Sequence, residues 1–180
     1  MTGLETERLL LQLPKRSELD AYMAIFGDPA VQRRLPFLPR TREATAESIE
    51  RMLGHWERHG TGLFSVVRKE DELLLGRVGF LLWNERWLNA LHHELEGELE
   101  TEIGWTIGSE HWNRGYATEA AAACRDWALG ELGLTRLVSL IAIGNTPSVR
   151  VAEKIGERLE RTDLGPPFEV PVDLYSLETG

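Results

Sequence analysis

The chain has 180 residues, 42% hydrophobic and 27% charged, the proportions of one ordinary globular domain with a sizeable core. No apolar run approaches the ~20 residues that span a bilayer, and the N-terminus lacks the basic-then-apolar layout of a signal peptide. A formal net charge of −9 argues against duplex nucleic acid as a partner and suits cationic partners such as amines, while the single cysteine, Cys124, forms no internal disulfide and points to a reducing, cytoplasmic compartment.

Residues 6–13 read as a short apolar strand ended by Pro14. Ser17 suits the N-cap of a helix over 18–26, in which Leu19, Tyr22, Met23 and Phe26 share one face and Gly27-Asp28-Pro29 is the stop. Pro36 and Pro39 make 35–40 an extended loop. A second helix over 45–58 sets Ile49, Met52, Leu53 and Trp56 on one side. His55 and His59 have zinc-binding spacing on that helix, but no Glu follows His55 and no third ligand suggests itself. They read as solvated helix-end residues, and no metal is expected. Strands over 63–68 and 73–83 pair around the charged turn 69–72, with Gly76 at a bulge. The stretch 84–93, with Trp87, His92 and His93, fits either a short helix or a loop over an acceptor cleft.

Glutamate occupies every even position from 94 to 102. In extended chain, period two puts these carboxylates on one face. The face is either simply solvated or a negative lip that steers a cationic amine inward, with Glu100 and Glu102 nearest the strand that follows.

The stretch from 102 to 129 organises the rest. It runs from strand into the loop Trp112-Asn113-Arg114-Gly115-Tyr116-Ala117 and opens a helix over 117–129. The first N–H groups of a helix lack internal partners and carry partial positive charge, so they suit phosphate. Gly115 and Ala117 clear space for close backbone approach, and Arg114 adds a full charge. No Gly-Lys-Ser/Thr follows, which excludes a P-loop, and a single glycine excludes the dinucleotide fingerprint. On the loop alone, a capped strand–turn–helix without ligand is the competing reading. Beyond it come a strand over 136–143, a turn at Asn145 and Pro147, a short helix over 149–155 closed by Gly156, a loop at 165–167 and a last strand over 170–177. Cys124 falls in the helix interior and reads as core. Strands grouped first and then a β–α–β–α run imply an α/β (α+β) domain spanning 1–180, a mixed sheet with helices on both faces.

The loop and its helix resemble the acetyl-CoA-binding segment of the GNAT N-acetyltransferases, and within them the RimJ/RimL-type branch. The family signature Gln/Arg-x-x-Gly-x-Gly/Ala falls on Trp112 to Ala117, with Trp112 in place of Gln/Arg as that branch often has it. The segments Thr6-Glu7-Arg8-Leu9-Leu10-Leu11 and Asn145 to Gly156 agree in order.

The resemblance implies a GNAT-like, mostly antiparallel sheet with a splayed strand pair, and direct transfer of acetyl from acetyl-CoA to a primary amine without a metal. Pantetheine would bond to backbone at Trp105, Thr106 and Ile107, and N–H groups near Trp105 and Thr106 would serve the oxyanion. Pyrophosphate would rest on Asn113, Arg114, Gly115, Tyr116, Ala117 and Thr118, and Asn145 would contact pantetheine. Glu102, or Glu100 through water, would take the amine proton. Position 152, where many members carry a tyrosine acid, is Ala, which leaves Ser148 to assist the leaving sulfur, unless it is only a helix cap. Phe37 and Leu38 either contact the acceptor or anchor their loop to the core. The acceptor expected is a protein or peptide N-terminus, with a small amine as the alternative. A homodimer through the last strands is a family expectation. Outside that chemistry stand a non-catalytic acetyl-CoA sensor and an ATP-binding protein, the latter disfavoured by the missing P-loop lysine.

Overall fold

The computed structural model describes residues 3–83, 100–165 and 170–179. Its elements in chain order are β1 (Gly3–Glu5), β2 (Leu9–Gln12), α1 (Leu19–Gly27), α2 (Pro29–Arg34), α3 (Arg42–His59), β3 (Leu63–Arg68), β4 (Leu74–Trp83), β5 (Glu100–Ile107), α4 (Tyr116–Gly130), β6 (Arg136–Ala142), α5 (Thr146–Lys154), β7 (Arg158–Leu164) and β8 (Val172–Glu178). The strands form one sheet in the order β1-β2-β3-β4-β5-β6-β8-β7. Every neighbouring pair is antiparallel except β5 and β6. This is the mixed, mostly antiparallel sheet expected from the resemblance.

Helices cover both faces because alternate strand residues are apolar on both. On one face Ile103, Ile107, Phe64, Phe80 and Leu137 pack against Ala120, Ala121, Cys124, Trp127 and Ala128 of α4. The small side chains let that helix lie close to the sheet, and Cys124 is wholly buried there. On the other face Tyr22 and Phe26 of α1 and Ile49 and Met52 of α3 form a second core. The Tyr22 hydroxyl meets Ser65 Oγ at 2.8 Å, and Ser65 donates to Glu18 at 2.6 Å, so the polar tips inside that core are satisfied. Gly76 sits where β3 and β4 slip register, between Val66 and Val67. A Cβ there would lie 1.9 Å from the Thr106 carbonyl, so only glycine lets β4 close on β5 at the bulge.

Several local expectations change. Ser17 lies inside a 3₁₀ turn, Arg16–Glu18, rather than capping α1. Asp28-Pro29 ends α1 and also starts α2: the Asp28 side chain accepts from Ala30 N at 2.7 Å, and Pro29 takes the first helical position. Helix α3 begins earlier, at Arg42, with Thr41 as its cap. His55 is not solvated: it is buried, with Nδ1 2.7 Å from the Thr61 carbonyl, while His59 is exposed. No cluster of three or more metal-ligating side chains occurs among the described residues. Strand β7 was not foreseen, because Arg158 to Asp163 are all exposed and give no apolar alternation. The expectations for 84–93 and for Glu94, Glu96 and Glu98 lie outside the described residues. No helix among the described residues is long and apolar enough to cross a membrane.

Candidate active site

The site begins where two strands part. β5 pairs with β4 along its whole length, from Glu100 to Ile107. It pairs with β6 in parallel only at Glu102 opposite Val138. Beyond that rung Trp105, Thr106 and Ile107 form one wall of a cavity of about 330 Å³, and Asn145, Pro147, Ser148 and Val151 of the β6–α5 side form another. Val31 and Arg34 of α2, with Leu35 just beyond it, close it from the sequence-distant side.

The loop after β5 is built to present a helix start. Trp112 folds back and donates from Nε1 to the Ile107 carbonyl at 2.7 Å. Asn113 and Gly115 take left-handed backbone, φ 60° and 83°, a conformation that asparagine tolerates and glycine adopts freely. Gly115 is the N-cap of α4 and brings no side chain to its first N–H groups. Tyr116, Ala117 and Thr118 therefore line the cavity with open helix-end donors.

A clamp from the N-terminus holds this loop. Arg8 donates from Nη1 to the Arg114 carbonyl at 2.9 Å and from Nε to Glu119 at 2.7 Å, and its guanidinium stacks 4.5 Å from the Tyr116 ring centre. Thr6 Oγ1 and Arg8 N both donate to Glu119 Oε1, at 2.6 and 3.0 Å. Burial works to raise the Glu119 carboxyl, and the bonds from Thr6 and Arg8 outweigh it, holding its pKa below the usual carboxylate value. The Thr6–Leu11 segment reads as strand in sequence, but its polar residues serve the loop 106 or more positions away.

The other wall is polar where it matters. Asn145 is buried and caps α5 with its backbone, leaving its side chain free of the cap, and Oδ1 accepts from Arg34 Nη1 at 3.3 Å. Arg34 also lies 4.7 Å over the Trp112 ring, so it links both walls. Ser148 is the third residue of α5 rather than its N-cap, which Asn145 occupies, and its hydroxyl-bearing side chain lines the cavity half-buried. His111, Arg150 and Lys154 line it too, and no carboxylate does among the described residues. A cationic slot in a chain of net charge −9 is a local inversion suited to a polyphosphate ligand.

All the residues named from sequence for the cofactor line this cavity except Arg114, whose side chain is exposed. Glu102 sits at the closing rung, half-buried. Burial pushes its carboxyl up to about 7, against a bond from the Leu140 backbone N–H. Glu100 is held instead by Arg136 at 3.1 Å, in a cluster that also ties Glu160 and Glu178. Phe37 is 60% exposed and does not line the cavity, whereas Leu38 beside it is buried in the α1–α3 core. Sequence reasoning missed Arg34 and the rest of α2, because nothing in the local pattern ties residue 34 to residue 145. It also missed Arg8 as a clamp, although the motif containing it was legible.

The chain matches the acetyltransferase (GNAT) domain over residues 8–158. It is 30% identical to the uncharacterised protein YkkB of Bacillus subtilis (strain 168) over 162 residues, 89% of this chain and 88% of that one. The crystal structure of the acetyltransferase from Agrobacterium tumefaciens str. C58 is 30% identical and superposes with a TM-score of 0.79, covering 99% of this chain and 95% of its own. The microcin C7 self-immunity acetyltransferase MccE, solved in complex with acetyl-CoA and AMP, is 17% identical and shares the fold at a TM-score of 0.75, over 99% of this chain and 97% of its own. A match of that extent, with relatives of nearly the same length, makes this chain a member of the GNAT family, an acetyl-CoA-dependent acetyltransferase.

Proposed function

We propose that the acceptor is a protein or peptide N-terminal α-amine and that the cavity between β5 and β6 holds acetyl-CoA, as in the RimJ/RimL-type branch that the sequence resembles. The observation that carries this is the slot lined by Arg34, Arg150 and Lys154 and roofed by the start of α4. Asn113 to Thr118 receive the diphosphate on backbone N–H groups, and Trp105 to Ile107 offer the strand edge that β6 leaves open. Acetyl-CoA supplies an activated acyl group on a thiol leaving group. Glu102 accepts the ammonium proton, so that the amine lone pair is available for attack. Backbone N–H groups near Trp105 and Thr106 stabilise the negative charge that develops on the acyl oxygen. The Ser148 hydroxyl donates to the departing sulfur.

Magnitudes favour the α-amine. A base at about 7 takes a proton from an α-ammonium near 8 at a cost of about 1.4 kcal/mol, and from a lysine near 10.4 at about 4.6 kcal/mol. The test is thiol release from acetyl-CoA with two peptide pools, one with free N-termini and no lysine, the other blocked and containing lysine. Turnover with the first pool alone is expected. Turnover with the second alone overturns the α-amine assignment, and silence with both alongside tight acetyl-CoA binding moves the acceptor to small amines.

A further inference from the structure

Glu157 leaves α5 and enters β7, and nothing in the reaction above uses it. It is completely buried. Its Oε1 lies 3.1 Å from Ser139 Oγ, and its Oε2 has no hydrogen-bond partner among the described residues. Ser139, itself buried, also sits 2.8 Å from the carbonyl of Ile103. Ile103 directly follows Glu102, at the last rung that β5 and β6 share.

A serine hydroxyl carries one proton and can satisfy one of those two acceptors. If Glu157 were ionised, a fully buried carboxylate would have at most that one bond and would leave the Ile103 carbonyl without it, an arrangement of high desolvation cost. If Glu157 is protonated, its O–H donates to Ser139, Ser139 donates to the nearer carbonyl, and the chain of donors closes in one direction. On the opposite face of β5, the Glu102 carboxylate accepts from the N–H of Leu140, the neighbour of Ser139. Ser139 and Leu140 thus fasten adjacent residues of β5 at the point where the slot opens.

The geometry points to Glu157 as a positioning residue for proton transfer: a neutral carboxylic acid that secures the Ser139–Ile103 contact and so holds β5 beside Glu102 at the last rung before the strands part. This rests on Glu102 being the base. Burial pushes Glu157 up to about 8; the Ser139 bond works against the shift and the Glu102 charge adds to it. The net shift runs in the direction that the geometry requires of Glu157, toward the protonated form at neutral pH. Other ionisable groups on the surrounding elements include Arg125 of α4, whose guanidinium is engaged by the Ile155 carbonyl at 3.0 Å and by Asp126; Arg150, Glu153 and Lys154 on the exposed side of α5; Arg136 of β6, tied to Glu100, Glu160 and Glu178; Arg158 at the exposed start of β7; and Asp173 and Tyr175 of β8. Among the described residues, Glu102 is the one whose charge acts on Glu157.

The full chain, labelled with ¹³C at the glutamate side-chain carboxyls, should show a carboxyl resonance still protonated at pH 7. It should disappear in Glu157→Gln and persist in Glu102→Gln. Full ionisation of every glutamate by pH 6.5, or loss of the neutral resonance in Glu102→Gln alone, overturns the proposal. Should Glu157→Gln not fold, Ser139→Ala serves in its place, and the midpoint of that resonance must then move. In acetyl transfer to the free-N-terminus peptide pool, the ratio of wild-type to Glu157→Gln rates should fall about tenfold between pH 7 and 9, as the second proton leaves the pair. A ratio independent of pH overturns the positioning role. Full transfer by Glu102→Gln would instead overturn Glu102 as base, and the positioning role with it, while the resonance assignment stands on its own.

Discussion

Replacing Glu157 with glutamine should remove a loss of stability that this protein suffers in alkali. In the unfolded chain the carboxyl titrates near 4.5, and in the folded chain burial lifts it to about 8. Below pH 4.5 both states are protonated and the group contributes no pH dependence. Between 4.5 and 8 the unfolded chain releases the proton while the folded chain keeps it, so the native state binds more protons and stability falls as pH rises. At 1.36 kcal/mol per unit the full interval corresponds to about 5 kcal/mol, and relaxation around the buried charge brings the expected loss in solution nearer about 3 kcal/mol. Glutamine keeps a donor for Ser139 and has nothing to titrate. Urea unfolding of the two proteins at pH 5, 7 and 9 measures the difference. The variant should be equal to or slightly less stable than the parent at pH 5, and more stable by about 3 kcal/mol at pH 9. A stability difference that does not change between pH 5 and 9 would refute a raised Glu157 carboxyl.

Gly115→Ala should lower stability by about 1 kcal/mol, because φ of 83° is left-handed and an added Cβ meets Arg8 Nη2 at 3.3 Å. Its larger effect should be on acetyl-CoA affinity by calorimetry, at least tenfold; equal affinity would remove the helix start from the binding site. Arg34→Met should weaken acetyl-CoA binding and flatten its salt dependence, since it removes a cation from the slot as well as the tie to Asn145. Undiminished salt dependence would assign Arg34 to the fold alone. Ser148→Ala should reduce kcat about tenfold with the melting temperature preserved, because Asn145, not Ser148, caps α5. A fall in melting temperature with kcat intact would return Ser148 to a structural role.

Local chemistry was enough to mark the loop that roofs the cavity. Residues 112–118 declare a helix start without a capping side chain, with glycine where the backbone must turn left-handed, and that information lies within seven consecutive positions. The β3–β4 pair and the Gly76 bulge were legible for the same reason: strand period and glycine punctuation are short-range signals. Gly27-Asp28-Pro29 marked the end of α1 correctly, but Asp28-Pro29 also starts α2, which is too short to show a period of its own. β7 carried no apolar alternation to read.

Sequence by itself therefore determined the family, the mixed sheet and the loop that opens α4. The tertiary structure alone decided which polar groups meet: Arg8 and Glu119, Arg34 and Asn145, Ser139 and Glu157. Partners far apart in the chain leave no periodic trace, and burial, which turns Glu157 from one more charged residue into a held acid, is a property of the whole packed domain rather than of any segment.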